Sequence, residues 1–351
     1  MKKYIFIIPI LLIVVSFFFY DKIIKNNETL KPDCKKIILI VSYNVENLFD
    51  TIDTPNKYDN EFTPQSEKKW NTKRYFKKIN DISKVLSLIS KKHLPDLIGI
   101  VEIENRAVLE DLISTKYLKK EKYKIVHEES SDPRGIDVAL LYNPKIFKYY
   151  SHKLIPIINN DGERYNTREI MMVKGLIAKD TVCVFINHWK SRSGGRNETE
   201  YKRILAAKIL RKNVDEQINN NSNVHIICIG DFNDTPFDKS MEKTLNASID
   251  KVFDSDRELY NLSAFDSKNK KGTISYRNNW YMLDNIIVSQ NFLDKSNKIV
   301  AQGNSKIYSS KFNLYYNAKA NDSIPNRSYG GNSYYGGISD HLPVYGFFVK
   351  K

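Results

Sequence analysis

The chain has 351 residues, 41% of them hydrophobic, enough for a sizeable core in one large domain or two small ones. Three cysteines, Cys34, Cys183 and Cys228, are too few for a disulfide framework at this length, and the latter two lie in apolar runs that favour buried free thiols. The formal net charge of +14 favours polyanionic partners such as nucleic acid or an anionic membrane, although a Lys-, Asn- and Ile-rich composition inflates lysine everywhere and weakens that clue.

Met1, Lys2 and Lys3 precede an uncharged apolar run from Tyr4 to Tyr20. As a helix this run spans about 25 Å, just short of the ~30 Å hydrocarbon core. It exceeds the usual apolar region of a signal peptide, and no A-x-A-like site follows. Lys2 and Lys3 favour an N-terminus held inside, a bias that Lys22 and Lys25 offset in part. The expectation is an uncleaved anchor or a signal peptide with the rest of the chain exported, in preference to a buried core helix. Lipid attachment at Cys34 is disfavoured, because no small residues precede it. Residues 21–35 read as a polar tether.

The run 36–49 opens as a strand, and 50–71 is polar and reads as a loop. Apolar residues at Phe76, Ile79, Ile82, Val85, Leu86 and Ile89 predict a helix over 72–92. A strand over 95–105 ends in acids, and 107–113 is a short helix. Strands follow over 135–142, 169–178 and 181–188. A helix over 197–218 is predicted with Asn197 as its N-cap and Glu200 three residues on. Further strands are predicted over 224–230, 283–289 and 344–350. Residues 303–337, rich in Asn, Ser, Tyr and Gly, predict a long loop. Strands interspersed with a few helices, and no internal repeat, predict an α/β or α+β sandwich with helices packed outside the sheets.

Polar residues of a restricted kind gather at the strand ends: Asn44 and Glu46, Glu102 and Glu104, His188 with Lys190 and Arg192, Asp231 and Asn233, Asp284, and Asp340 with His341. Singly, each has an ordinary reading as a turn, a cap, a solvated strand end or a core histidine. Together they would require several independent strands to place Asp, Glu, Asn or His at one edge by chance. Acidic oxygens suit a hard cation such as Mg²⁺, bound through one or two carboxylates, waters and substrate phosphate. Zinc would prefer clustered His or Cys, and here the histidines are dispersed. Phosphodiester cleavage needs neutralised non-bridging oxygens, a base for water and donors for developing charge. A histidine oriented by a carboxylate suits the base near neutral pH. Neither a nucleophile elbow nor a P-loop is present.

In chain order, SYNVENLFD, GIVEIEN, GIDVALLY, INHWKSR, GDFND, LDNIIVS and SDHLPV resemble the motifs of the endonuclease/exonuclease/phosphatase superfamily, the DNase I-like fold, over residues 37–351. GDFN and SDH are the most specific of them. The resemblance implies a four-layered α/β sandwich, two mixed β-sheets packed face to face with helices outside, and hydrolysis of phosphodiesters or phosphomonoesters with Mg²⁺ or Mn²⁺. By motif, Glu102 resembles the principal metal ligand with Asn44 close by, and Asp340 an accessory metal ligand or hydrogen-bonding acid. Asp231 and Asn233 resemble the pair that positions the attacking water or leaving oxygen. His341 resembles the histidine at the scissile phosphate, oriented by Asp284, and His188 the second catalytic histidine. Arg168 resembles a phosphate-contacting arginine. The segment NHWKSRSGG departs from abasic-site nucleases and is more similar to secreted bacterial nucleases, with Lys190 and Arg192 facing the phosphate backbone. Arg134 is treated as a substrate contact only.

The expectation is therefore an anchor or signal segment with tether over 1–33 and a catalytic domain over 34–351. The domain reads as an exported, monomeric, Mg²⁺-dependent nuclease cleaving DNA or RNA, with membrane contact through the N-terminal segment. Two other readings are a hydrolase of another phosphoester, such as sphingomyelin or an inositol phosphate, and a catalytically silent binding module of the same fold.

Overall fold

Strand β1 (Lys36–Leu48) is apolar on both faces because both faces are covered: Ile38 and Ile40 enter one core, while Leu39, Val41, Tyr43 and Val45 enter another. Its parallel neighbour β2 (Leu97–Ile103) divides the same way, with Leu97 and Val101 on one side and Ile98, Ile100 and Ile103 on the other. Between Leu97 and Val101 stands Gly99, where a side chain would run into Ile229 of the facing sheet. A glycine there allows the two sheets to approach. The computed structural model describes residues 36–250 and 258–351. The expected anchor, the tether and Cys34 lie outside the described residues. Among those described, no helix is long and apolar enough to cross a membrane.

The first sheet adds β3 (Lys124–His127), β4 (Asp137–Tyr142), β14 (Ile299–Ala301) and β20 (Val344–Lys350), in the order β14-β20-β1-β2-β4-β3, with β15 (Lys306–Ile307) on β20. The second runs β5 (Lys148–Ile155), β6 (Ile170–Ile177), β7 (Asp180–His188), β8 (His225–Asp231), β13 (Asp284–Ser289), β10 (Leu259–Asn261) and β9 (Ala247–Ser248). Both sheets are mixed: β1 pairs β2 and β7 pairs β8 in parallel, while β2–β4 and β8–β13 are antiparallel. Helices α1 (Thr72–Leu88) and α2 (Arg106–Ser114) cover the outer face of the first sheet through Ile79, Ile82, Val85, Leu109 and Leu112. Helix α3 (Arg196–Asn220) covers the second through Ala207, Leu210 and Val214. The short α4 (Ala264–Lys268) follows β10. The result is the four-layered sandwich of the DNase I-like fold. Fully burying one Ile, Leu or Val is worth about 1.5–3 kcal/mol, against about 0.2–1 kcal/mol for an exposed ion pair. The three apolar layers therefore hold the sandwich, not surface pairs such as Lys77–Asp81.

Four sequence expectations change. Helix α3 begins at Arg196 after Gly195, at φ +112°, not after an Asn197 cap. The Gly194–Gly195 turn supplies left-handed backbone, and Thr199 Oγ1 donates to the Gly195 carbonyl at 2.6 Å. Strands β3 and β5 were not expected; β5 is a mostly exposed edge, so its pattern is polar. The expected 303–337 loop carries β15 and two hairpins, β16 (Leu314–Asn317) with β17 (Asp322–Pro325) and β18 (Tyr329–Gly330) with β19 (Ser333–Tyr334). A further hairpin, β11 (Ile274–Tyr276) with β12 (Asn279–Tyr281), precedes β13.

His225 opens β8 in a buried position, its ring edge-on to Phe292 at 4.7 Å. Burial pushes its pKa below the usual value. The unfolded chain therefore binds this proton more readily than the folded one. The stabilisation is complete above the unfolded pKa of about 6.5 and is lost as pH falls below it. His225→Phe is expected to flatten the acid-side loss of melting temperature relative to the parent chain. An unchanged slope between about pH 6.5 and 4.5 would contradict this.

Candidate active site

The strands of both sheets deliver polar residues to one edge, and two backbone irregularities aim them. The β1–β2 register breaks between Asn44 and Leu48, and the β2–β4 register breaks between Val101 and Ile103. The residues in the breaks, Glu46, Asn47 and Glu102, have φ of +51°, +50° and +64°. Such bulges bend a strand and redirect a side chain. Glu102 is thereby turned so that Oε2 accepts from the Asn47 amide at 2.9 Å and Oε1 from Asn44 Nδ2 at 3.1 Å.

Asn44 joins the two sheets, since the same Nδ2 also donates to Asp231 Oδ2 at 3.1 Å. Asp231 ends β8 after Gly230, whose φ of +132° places it against the Asn187 carbonyl of β7. Asn233, at φ +52°, donates its backbone amide to Asp231 Oδ1 at 2.9 Å and its side-chain amide to Asp231 Oδ2 at 3.2 Å. Asp284 opens β13 in register with Asp231. Its Oδ2 shares a 2.6 Å hydrogen bond with His341 Nδ1. His341 Nε2 then stands 3.9 Å from Asp231 Oδ2. Ser339 fixes the approach of this segment: its hydroxyl donates to the Asn44 carbonyl at 2.7 Å and accepts from the His341 amide at 3.0 Å.

The two histidines are held in opposite states. Burial pulls the His341 pKa down, but Asp284 and Asp231 together outweigh it and hold the ring well above the usual value. His188 Nε2 lies 3.5 Å from Glu102 Oε1 and 3.8 Å from Asp231 Oδ2. Burial, reinforced by the Arg168 and Arg134 guanidiniums, keeps His188 well below its usual pKa and therefore neutral.

The donor set fits a hard divalent cation. Glu102 and Asp231 are separate carboxylates bridged by one amide, and burial pushes Asp231 above the usual carboxylate range. A cation is the natural partner for such a pair. The group Asp231, Asp284 and His341 also brings ligand atoms within 4.8 Å. There, however, His341 Nδ1 and Asp284 Oδ2 are already spent on each other. Glu102, whose two oxygens accept only from neutral amides, is the more open carboxylate; Asn44 stands beside it, turning Nδ2 to it while Oδ1 accepts from the Glu46 amide at 3.0 Å.

A cleft of about 510 Å³ opens beside Glu102 and His188, lined also by Arg134, Arg168 and Lys190. Arg168 is buried there; its Nη1 donates to Asp132 Oδ2 and its Nη2 to the Trp189 carbonyl, each at 2.8 Å. Arg134 binds the same carboxylate, 3.3 Å from Asp132 Oδ1. The sequence thus gathers Asn44, Glu102, His188, Asp231, Asn233, Asp284 and His341 at one centre, with Arg134, Arg168 and Lys190 at its margin. Arg192 goes elsewhere, while Asp340 stays within electrostatic reach of His341 and turns to Arg327. Arg192 is drawn into the fold, its Nε donating to the Asn233 carbonyl at 2.7 Å and its Nη2 pairing Asp238 at 2.8 Å. It buttresses the turn after β8 instead of facing the cleft. Asp340 pairs Arg327 at 3.6 Å. Sequence reading assigned no role to Asp132, Ser339 or Arg327. Asp132 and Arg134 sit in a Ser-Asp-Pro-Arg-Gly stretch whose turn character hides the carboxylate that anchors two arginines.

Solved structures share this architecture. The human Nocturnin catalytic domain with bound sulfate anion aligns with a TM-score of 0.56 at 14% identity, over 91% of this chain and 96% of that one. A humanized D. rerio TDP2 aligns with a TM-score of 0.53 at 12% identity, over 89% and 98%. An endonuclease/exonuclease/phosphatase family protein from Bacteroides thetaiotaomicron aligns with a TM-score of 0.53 at 13% identity, over 90% and 99%. No curated protein matches the chain. The model of one family matches residues 39–351, nearly all of the sandwich, and on that match the chain belongs to the Endonuclease/Exonuclease/phosphatase family.

Proposed function

We propose that this phosphodiesterase-type enzyme is an exported, Mg²⁺-dependent nuclease that hydrolyses phosphodiester bonds of DNA or RNA. The observation that carries the reading is the His341–Asp284 pair, 2.6 Å apart, set against Asp231 beside the Glu102–Asn44 carboxylate–amide site. Mg²⁺, or Mn²⁺ in its place, would be held by Glu102, with Asn44 close by, and would supply charge neutralisation at the phosphate oxygens. The protein's own part is positional. Asp284 fixes the His341 ring so that Nε2 is free to donate to a phosphate oxygen as charge develops. Asp231, held by the Asn233 amide and by Asn44, orients the attacking water with Oδ2. His188, neutral and buried, packs the Glu102–Asp231 side without adding charge. Arg168, fixed by Asp132, and Lys190 border the cleft that receives the anionic strand.

Nucleic acid is favoured by the net charge of +14 and by the cationic cleft margin. A fold relative, D. rerio TDP2, is known complexed with a single-strand DNA product. Export rests on the apolar run from Tyr4 to Tyr20. The test incubates the full chain and Mg²⁺ with supercoiled plasmid, linear duplex, single-stranded RNA, sphingomyelin and an inositol phosphate. Cleavage of plasmid or RNA, abolished by EDTA, is the expected result. Turnover confined to the lipid or inositol substrate would replace the substrate class, and no turnover with Mg²⁺ or, in a repeat, with Mn²⁺ would favour a silent binding module.

A further inference from the structure

A second, smaller pocket opens beside Asn47, the residue whose amide holds Glu102. Its volume is about 180 Å³. At ~30 Å³ per water this is room for about six waters. It lies below the roughly 300 Å³ at which pockets begin to take whole drug-sized ligands. Three cations line it: Lys68, Lys78 and Arg327. Lys78 is buried, and its Nζ donates to the Glu46 carbonyl and, at 2.7 Å, to Ser328 Oγ. Lys68 lies over the Phe62 and Tyr329 rings at 5.5 and 5.3 Å.

The carboxylates of the pocket are already engaged. Glu61 pairs Lys68 at 3.3 Å, and Glu46 Oε2 accepts from the Ser328 amide at 2.6 Å. Arg327 differs. It is half-exposed and stands 3.7 Å from Glu46 and 3.6 Å from Asp340, both beyond hydrogen-bond range. A planar guanidinium that faces Glu46 and Asp340 only as long ion pairs, at the mouth of a small pocket lined by three cations and two carboxylates, is suited to bidentate capture of phosphate. We infer that this pocket binds a second phosphate group carried by the substrate, next to the one that is cleaved. Arg327 and Lys68 are its contacts, with Lys78 buried behind them. The inference rests on the phosphodiesterase reading of the neighbouring site. The same chemistry is offered by a terminal phosphate on a nucleic acid and by an extra phosphate on a small polyol.

The full chain, Arg327→Ala and Lys68→Ala are compared on oligonucleotides of one sequence bearing a 5′-phosphate, a 3′-phosphate or hydroxyl ends. An inositol bisphosphate and monophosphate form the parallel pair. The reading is the ratio of kcat/KM between phosphorylated and unphosphorylated partners, which cancels any loss of folded protein. The parent chain is expected to favour one phosphorylated substrate by tenfold or more, and both variants to bring the ratio close to one. The series that shows the preference names the source of the phosphate. A ratio near one in the parent chain, or one that Arg327→Ala leaves unchanged, overturns the inference. If no phosphoester is turned over at all, calorimetric titration with inorganic phosphate decides. Binding lost in Arg327→Ala but retained in Arg168→Ala supports the pocket, and binding indifferent to Arg327→Ala removes it.

Discussion

His341→Ala is expected to lower kcat by about 10²–10⁴, the range for removing a positioned proton donor or acceptor, with a much smaller change in KM. The side chain is buried against Asp284 and Asp231, so its role depends on ring orientation and charge. Asp284→Asn tests the orientation separately. It keeps the shape but removes the carboxylate that sustains the His341 charge. A loss approaching that of His341→Ala is expected, because an asparagine amide favours the wrong ring tautomer. Steady-state kinetics on whichever substrate the parent chain turns over, with circular dichroism to confirm folding, provides the check. A folded His341→Ala protein within threefold of parental kcat would remove the histidine from the reaction.

Glu102→Gln should have an effect of similar size with a different signature. The substitution keeps the shape and one of the two acceptors that face the Asn47 amide and Asn44 Nδ2, and it removes the charge. Charge stabilisation by a bound cation is worth several kcal/mol, and each ~1.36 kcal/mol is tenfold in rate. At limiting Mg²⁺ the loss is expected to reach about 10³ or more. Raising the metal concentration should recover part of it, because the variant weakens cation affinity before it alters the chemistry. His341→Ala should show no such recovery. Activity titrated against Mg²⁺ for both variants separates the roles. A Glu102→Gln deficit indifferent to metal concentration would place the cation elsewhere.

Much of this centre is legible from sequence because apolar runs covered on both faces stop abruptly in polar residues. Val224 to Ile229 then Asp231, and Thr181 to Ile186 then His188, are such transitions. The wholly apolar strands likewise announce two covered faces. The supporting shell is not legible, because its members look ordinary where they stand. Arg203 is one of many basic residues on a polar-looking helix, yet it is fully buried, 2.7 Å from Asp234. Asp132 reads as a turn residue, and its grip on Arg168 spans 36 positions of sequence. Arg192, with basic neighbours in a motif, reads as a strand contact, but Asp234 and Asp238 take it inward. The paired bulges are invisible because no local rule predicts left-handed backbone at Glu46, Asn47 and Glu102.

Those bulges bear on how the protein can change. Left-handed backbone at a non-glycine residue costs on the order of 1–3 kcal/mol. Elsewhere in the chain it falls at turn residues such as Asn56, Lys122 and Asn278, but at the reaction centre it falls on Glu46, Asn47, Glu102 and Asn233. Selection for heat resistance alone would drift these positions towards glycine, which adopts the conformation freely. This chain keeps two glutamates and two asparagines there. Its tolerance of mutation is accordingly lopsided: the changes its backbone would accept most readily are those its chemistry can least absorb.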